Sequence, residues 1–445
     1  MIHDLKTYPV MKDSGVPWLG AVPGHWRYLP GKLCYREKKV PNMGLKETTV
    51  LSLSYGQIVV KPVDKLHGLV PASFETYQIV DAGDIIVRPT DLQNDWNSLR
   101  FGLSRHHGII TSAYMCLRTT DRMMQDYGHL LLHAYDLKKV FYGLGSGLRQ
   151  NLDWSDFKYL ACVVPPLPEQ AAIVRFLDHV DWRIRRYIRA KQKLIKLLEE
   201  QKQAIIRRAV TRGLDPNVRL KPSGVEWLGD VPEHWEVARL SHFFTLQRGF
   251  DITKDQQSAG NVPVVSSGGV FSYHDRATGK GPGVLVGRKG TAGAVYYVET
   301  DFWAHDTTLW VNDFKGNFPR FVYYILIILD LKRFDTGSAN PTLNRNVIHP
   351  ERLAFPPLSE QIRIAYSVDI DIERIKRAIA RTHREISLLH EYRTRLIADV
   401  VTGKLDVCEA AARLPDEAEE PEPPDESDAL SDAEEETEVV EEPEE

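Results

Sequence analysis

The sequence has no apolar run long enough to cross a bilayer. The longest, Phe321 to Leu329 (FVYYILIIL), is about half of the ~20 residues that a helical span requires. Residues Met1 to Val10 show no basic-then-apolar leader. Cysteine is scarce: Cys34, Cys116, Cys162 and Cys408 are scattered with no CxxC spacing, which excludes a zinc ribbon and gives no disulfide framework. These absences argue against a membrane or secreted protein and lead to the expectation of a reducing, cytoplasmic setting.

Catalytic signatures are equally sparse. There is no GxxxxGK[ST] loop to surround phosphates with backbone N–H groups, as a motor or ATPase would need. There is no Asn-Pro-Pro-aromatic motif of a base methyltransferase; the nearest string, Asn340-Pro341-Thr342, lacks the second proline and the aromatic. The only Pro-Asp pairs, Pro415-Asp416 and Pro424-Asp425, lie in the acidic C-terminus, where no nuclease core of the PD...(D/E)xK type can be built. The glycines of Phe141 to Gly147 (FYGLGSG) follow a predicted helix, whereas a cofactor loop leaves a strand and opens a helix, so they read as a turn. His129 and His133 stand four apart, as zinc ligands on a helix do, but with no Glu between them and no third ligand they read as partly buried histidines.

What the chain does have is length and a lopsided charge. Its 445 residues, 43% hydrophobic, suffice for two or three domains. The net charge of -5 conceals a split: Glu409 to Glu445 holds 18 acidic residues and one arginine, a net of -17, against 55 basic and 43 acidic residues before it, a net of +12. A body this basic suits a polyanion, of which nucleic acid is the commonest. The acidic end is too poor in apolar residues to order itself.

The sequence also repeats itself. Ser14 to Trp26 (SGVPWLGAVPGHW) and Ser223 to Trp235 (SGVEWLGDVPEHW) share ten of thirteen residues at an offset of 209. PPLPEQ at Pro165 to Gln170 matches PPLSEQ at Pro356 to Gln361, and VTRGLD at Val210 to Asp215 matches VTGKLD at Val401 to Asp406, both at an offset of 191. From the double proline to the valine is 45 residues in both halves, while the stretch from the Trp to the double proline is 139 residues in one and 121 in the other. The order is therefore A-B-A'-B', with B fixed in length and A free to vary.

Segment B reads as a helix of about 40 residues, roughly 60 Å long. In the first copy Ile173, Leu177, Val180, Ile184, Tyr187, Leu194, Leu198 and Ile205 recur at alternating steps of three and four, broken by Lys191 and Gln201. In the second, Ala365, Val368, Ile372, Ile375, Ile379, Ile386, Leu389, Leu396 and Val400 do so, broken by Thr382 and Arg393. The prolines stop what precedes each helix, and Gly213 and Gly403 fall where each should end. Two such seams most simply pair with each other, and an antiparallel pair places the A domains at opposite ends of a rod.

Segment A reads as α+β, with short β-branched strands at Asp84 to Val87, Gly283 to Val286 and Ala294 to Val298 and a helix closing each domain, at Gln125 to Val140 and Pro319 to Phe334. Two strand ends lead into polar or basic loops. The first carries Arg88, Gln93, Asn94, Trp96 and Arg100; the second carries Arg288 and Lys289. Arginine, glutamine and asparagine form two-pronged hydrogen bonds to base edges, which makes these seven the candidate DNA-binding residues. Arg149, Gln150 and Asn151, and Asn344, Arg345 and Asn346, are weaker candidates. No catalytic, cofactor-binding or metal residue is nominated.

The duplicated set SGVxWLGxVPxHW, PPLxEQ and VTxGLD or VTGKLD, in this order, resembles the specificity (S) subunit of type I restriction-modification systems over residues 12 to 408. The resemblance implies a division into target recognition domain 1 (1–164), long helix 1 (165–215), target recognition domain 2 (216–355) and long helix 2 (356–406); the acidic tail (407–445), expected from its composition to be disordered, departs from the family's pattern. It implies two domains that each read half of a split site on double-stranded DNA, separated by two helices in an antiparallel coiled coil with a pseudo-two-fold repeat. It also implies methyltransferase (modification) and restriction/translocase subunits as partners. S-adenosylmethionine, ATP and Mg²⁺ would sit on those partners, and this chain would be non-catalytic. The rival classes are a free-standing DNA-modifying enzyme, which would carry a cofactor or metal motif, and a structural coiled-coil adaptor, which would not need a basic body with two dissimilar A domains.

Overall fold

A computed structural model of the chain describes residues 5–54, 56–61, 73–90, 92, 99–144, 151–334 and 342–415. They form two compact units, one from within residues 1–190 and 385–445, the other from residues 191–384. The division passes through the middle of both long helices, so each unit is a mixed α+β domain with the near halves of two helices attached.

The repeat extends from motif to topology. In the first unit a four-stranded sheet is built from β1 (Tyr35–Lys38), β2 (Ile85–Val87), β3 (Phe101–Leu103) and β4 (Met115–Thr119), in the order β1-β4-β2-β3 with every pair antiparallel. Helix α1 (Gln125–Leu137) follows, and then the long helix α2 (Leu167–Arg212). The second unit repeats the order with β5 (Thr245–Arg248), β6 (Gly283–Gly287), β7 (Val295–Val298) and β8 (Thr308–Asp313), arranged β5-β8-β6-β7, then α3 (Pro319–Ile328) and the long helix α4 (Leu358–Val401). The entering and leaving strands of each domain pair with each other, Arg27–Pro30 with Ala161–Val164 and Glu236–Arg239 with Arg352–Phe355. The domains differ beyond these frames: the first adds the pairs Leu51–Ser54 with Gln57–Val60 and Gln78–Val80 with Gly108–Ile110, the second a three-stranded sheet of Gly269–His274, Val262–Ser266 and Trp303–Ala304.

The long helices pair antiparallel within each unit. In the first, Asp181, early in α2, bonds Arg393, late in α4. In the second, Ile206, Ala209 and Val210, late in α2, share a core with Ile364, Ala365, Val368 and Ile372, early in α4. Burying an aliphatic side chain of this size contributes about 1.5–3 kcal/mol. The apolar spacing of α4 corresponds to its packing: Ala365, Val368, Ile372, Ile375, Ile386, Leu396 and Val400 are buried, and so is Thr382, which returns its hydroxyl to the Ala378 carbonyl. The seam of α2 changes register. Ile173, Leu177, Val180 and Ile184 are buried, but then Ile188 turns inward while Tyr187 and Leu194 are exposed, and Ile206 and Val210 close the seam. A helix of 3.6 residues per turn drifts about 20° per heptad from a strict 3.5 repeat, and here the inward face moves on by one residue.

The duplicated motifs are the joints between domain and helix. Glu169, in the first turn of α2, accepts hydrogen bonds at Oε1 from the Trp26 indole N–H (2.8 Å) and the Tyr8 hydroxyl (2.6 Å), and its Oε2 lies 2.8 Å from His25 Nε2. Burial, reinforced by the Glu169 carboxylate, pushes the Tyr8 phenol pKa well up and keeps it a donor. In the second copy Glu360 meets Trp235 Nε1 at 3.3 Å and His234 Nε2 at 2.7 Å. The neighbouring glutamines bind the domain helices. Gln170 accepts from the backbone N–H of Met124, the N-cap of α1, and donates to the carbonyls of Arg122 and Pro165. Gln361 accepts from Phe318 N–H at the start of α3 and donates to Asn317 Oδ1 and the Pro356 carbonyl. Gly213 and Gly403 end the long helices with φ of 73° and 77°, the left-handed conformation a glycine C-cap adopts. A Cβ at Gly403 would also clash with the Pro23 ring.

Residues 407–415, assigned from composition to the tail, are ordered. Val407, Ala411 and Leu414 are buried along the short helix α5 (Cys408–Ala412), an apolar spacing too brief to stand out in an acidic stretch.

Glu169→Ala should cost about 1–3 kcal/mol for each buried donor left without an acceptor. Glu360→Ala should cost less, because its indole bond is longer and no tyrosine joins it. Urea midpoints of the two variants test this, and equal shifts would contradict a role for Tyr8.

Candidate nucleic-acid interface

β2 and β6 are equivalent strands, buried along their whole length, and each delivers an arginine at its C-terminal end: Arg88 after β2 and Arg288 after β6. In both domains the backbone beyond the strand stays tethered, Arg88 N–H to the Arg100 carbonyl (2.9 Å) and Arg288 N–H to the Thr307 carbonyl (2.7 Å). The sequence therefore places the same residue type at the same point of two sheets that otherwise diverge. Arg88 is half-buried. Gln93, Asn94 and Trp96, named from the sequence, lie outside the described residues, as do Arg149 and Gln150.

Arg100 is a correction. It is fully buried, stacks on the Tyr142 ring at 5.3 Å, and donates from Nη1 to the Thr90 carbonyl (2.7 Å) and from Nε to the Tyr142 hydroxyl (3.3 Å). Its own backbone N–H reaches Asp136 of α1. The side chain braces the loop from inside, because a guanidinium at the start of β3 meets carbonyls before it meets solvent. Sequence alone does not separate such a brace from a base reader, since both demand an arginine in a polar loop.

The second domain has a more elaborate cationic corner. Arg288 is 11% exposed; its Nε donates to the Asp306 carbonyl (3.0 Å), and its Nη2 is buried with no hydrogen-bond partner among the described residues, 3.8 Å from Asp306 Oδ2. Burial, then the charge of Arg248, lowers the Arg288 pKa. Arg248, at the end of β5, bonds Asp306 Oδ2 at 2.9 Å. Burial alone would raise the Asp306 pKa, but the Arg248 bond and the charges of His305 and Arg288 hold it below the usual carboxylate value. Lys289 is exposed, and its backbone bridges to Thr342. The hairpin is tight at Gly287, where a Cβ would clash with the Thr291 carbonyl. Asp251, His305 and Asp306 bring three ligand atoms within 4.8 Å of one another, but Asp306 is already paired with Arg248, so the set is an ion-pair network. Arg248 and Asp306 were not legible in the sequence, where they stand 58 residues apart without a motif.

In the first domain the charged groups gather about one buried carboxylate. Asp84, fully buried, and Asp81 bind Lys38 and Arg118, and Asp81 also meets His107. The bond from Lys38, more than offsetting partial burial, drives the Asp81 pKa far down. The network ties β1 and β4 to the entry of β2, which fixes where Arg88 emerges. His129 and His133 stack at 6.1 Å on α1, partly buried, with burial lowering their pKa values to about 4 and about 3, so both are neutral near pH 7. Asn344 caps a short helix through the Asn346 N–H.

Residues 232–379, a third of the chain, match the family model described as type I restriction modification DNA specificity domain. The chain is 27% identical over 171 residues to the MjaVIII type I restriction enzyme specificity subunit of Methanocaldococcus jannaschii, a match covering 37% of this chain and 38% of that protein. It is 21% identical over 320 residues to the putative MjaX specificity subunit of the same organism, covering 66% of this chain and 71% of that one. Among solved structures, one from work on complex assembly and conformational transition of the type I R-M system aligns with a TM-score of 0.67 at 13% identity, over 86% of this chain and 99% of that one. The HsdS subunit from Thermoanaerobacter tengcongensis aligns at 0.51 and 14% identity, over 88% and 100%. The resemblance read from the duplicated motifs is thus the one that family, sequence and fold comparisons return. No helix among the described residues is long and apolar enough to cross a membrane.

Arg100→Ala should lower stability by about 1–3 kcal/mol through the lost buried hydrogen bonds. Lys289→Ala should leave stability within about 0.5 kcal/mol and, as a phosphate contact, weaken DNA binding for all sequences and flatten the salt slope by about one. Denaturation and binding titrations across salt check both.

Proposed function

We propose that this chain is the DNA-recognition subunit of a type I restriction-modification complex, with each domain reading one half of a split target and the long helices setting the gap and docking the methyltransferase subunits. One observation carries the reading: the duplication holds at the joints and fails at the periphery. Both units use the same Glu-Gln pair, the same His-Trp and the same sheet order to attach a domain to a helix, 46 residues long in one case and 44 in the other. Around that frame the strands differ, as they would in two readers of different half-sites. Methyl transfer and cleavage then belong to the partner subunits, with S-adenosylmethionine, ATP and Mg²⁺ bound there. Arg88 and Lys289 are the described side chains best placed to touch DNA, Arg288 being largely buried against Asp306, and a cytoplasmic setting follows from that role.

Replacing residues 236–355 with the matching segment of a related subunit, in the assembled complex, should change one half of the methylated motif and leave the other intact. A change in both halves would overturn independent reading. Adding one heptad to both α2 and α4 lengthens each by about 10 Å, near three base pairs at 3.4 Å, so the preferred gap should grow or binding weaken through torsional mismatch. Full affinity for the original gap would show that the helices do not set it.

A further inference from the structure

The C-terminal acidic segment has no counterpart in the repeat and no part in the reading above, yet its point of departure is fixed. Arg175 Nη2 donates to the carbonyls of Leu414 (2.9 Å) and Pro415 (3.0 Å), the last described residues. Arg175 also begins a stripe on α2. Arg175, His179, Trp182, Arg186 and Arg189 recur at steps of four and three, which keeps them on one helical face. Trp182 is the centre of that face, with the His179 ring 6.4 Å away and the Arg186 guanidinium 5.4 Å above its ring. The next 30 residues, 416–445, contain 17 Asp or Glu and no Lys or Arg. Extended, they would reach roughly 100 Å, while Arg175 to Arg189 spans about 21 Å of helix, so length does not limit contact. Held in cis, such a segment faces the stripe at an effective concentration of order millimolar.

We propose that residues 416–445 dock along the Arg175–Arg189 face of α2, pairing their carboxylates with its arginines and covering that face against other acidic partners. Several glutamates and aspartates serve interchangeably, so the segment needs charge and reach rather than a fixed fold.

The test uses the full-length chain and a variant in which the 17 acidic residues of 416–445 are replaced by Gln and Asn. A fluorescein-labelled peptide of residues 416–445 is titrated with each and followed by anisotropy. The neutral-tail protein should bind it at least tenfold more tightly than the wild type, whose stripe is already covered, and the difference should fade as added salt screens the charges. In the neutral-tail background Arg186→Glu with Arg189→Glu should weaken binding at least tenfold, while Arg186→Lys with Arg189→Lys should retain most of it, a comparison that also separates lost binding from lost folding. Reversing Lys254 and Arg276, exposed in the other unit, should change nothing. Equal peptide binding by wild type and neutral-tail protein overturns the proposal, and so does an equal loss from the Lys254 and Arg276 reversal.

Discussion

A carboxylate at the first turn of each long helix, buried at Glu169 and half-buried at Glu360, is the interaction on which the rest of the architecture depends. Glu169 and Glu360 lie where the helix N-terminus favours negative charge, and each is met by an indole and an imidazole from the turn just before the strand that enters the domain. The next residue, a glutamine, turns to the opposite side and caps the domain's own helix. Two adjacent side chains thereby hold three elements that are far apart in sequence, and the orientation of a recognition domain on its helix follows from hydrogen-bond geometry rather than from apolar contact alone. That explains why a short PPLxEQ string is repeated while most of the domain is not.

The same logic accounts for the ends of the chain. In the first unit the segment before the domain is continued in space by the end of α4: Lys6 bridges to Asp406, and Gly403 packs against Pro23 and Trp26. In the second unit the corresponding Gly213 lies against Trp235, only 22 residues further along the chain. One joint is thus made within a continuous stretch and the other between two distant segments. Tyr127 marks the latter from the domain side, its hydroxyl 3.1 Å from the Val163 carbonyl and 3.3 Å from that of Val401.

Within each domain a small antiparallel sheet holds an arginine at the end of its most buried strand, half-buried at Arg88 and largely buried at Arg288, but the charges around it are arranged differently. The first domain gathers Lys38 and Arg118 on the buried Asp84 and the partly exposed Asp81. The second holds Arg248 and Arg288 about Asp306, with His305 and Asp251 beside it. Asp251 and Asp306 offset the two arginines there, and the exposed Lys289 next to Arg288 adds the positive charge that contact with phosphate needs.

Periodicity and repetition were legible in the sequence because they are local: helix length, the antiparallel seam of α4, the strand positions and the glycine stops all follow from spacing. The class of protein was legible for a related reason, since duplicated motifs in a fixed order are improbable by chance. The register shift in α2 was not, because choosing between Tyr187 and Ile188 depends on the partner helix. Arg100 was not either: whether an arginine faces DNA or braces a loop is decided by which carbonyls the fold brings to it, and Thr90 and Tyr142 arrive from different segments. The ordering of Val407 to Leu414 depended likewise on a surface to bury against. The sequence by itself determined the elements, their order and their duplication. Only the tertiary structure decided which charged side chains are satisfied internally and which remain at the surface, because that depends on neighbours distant in the chain.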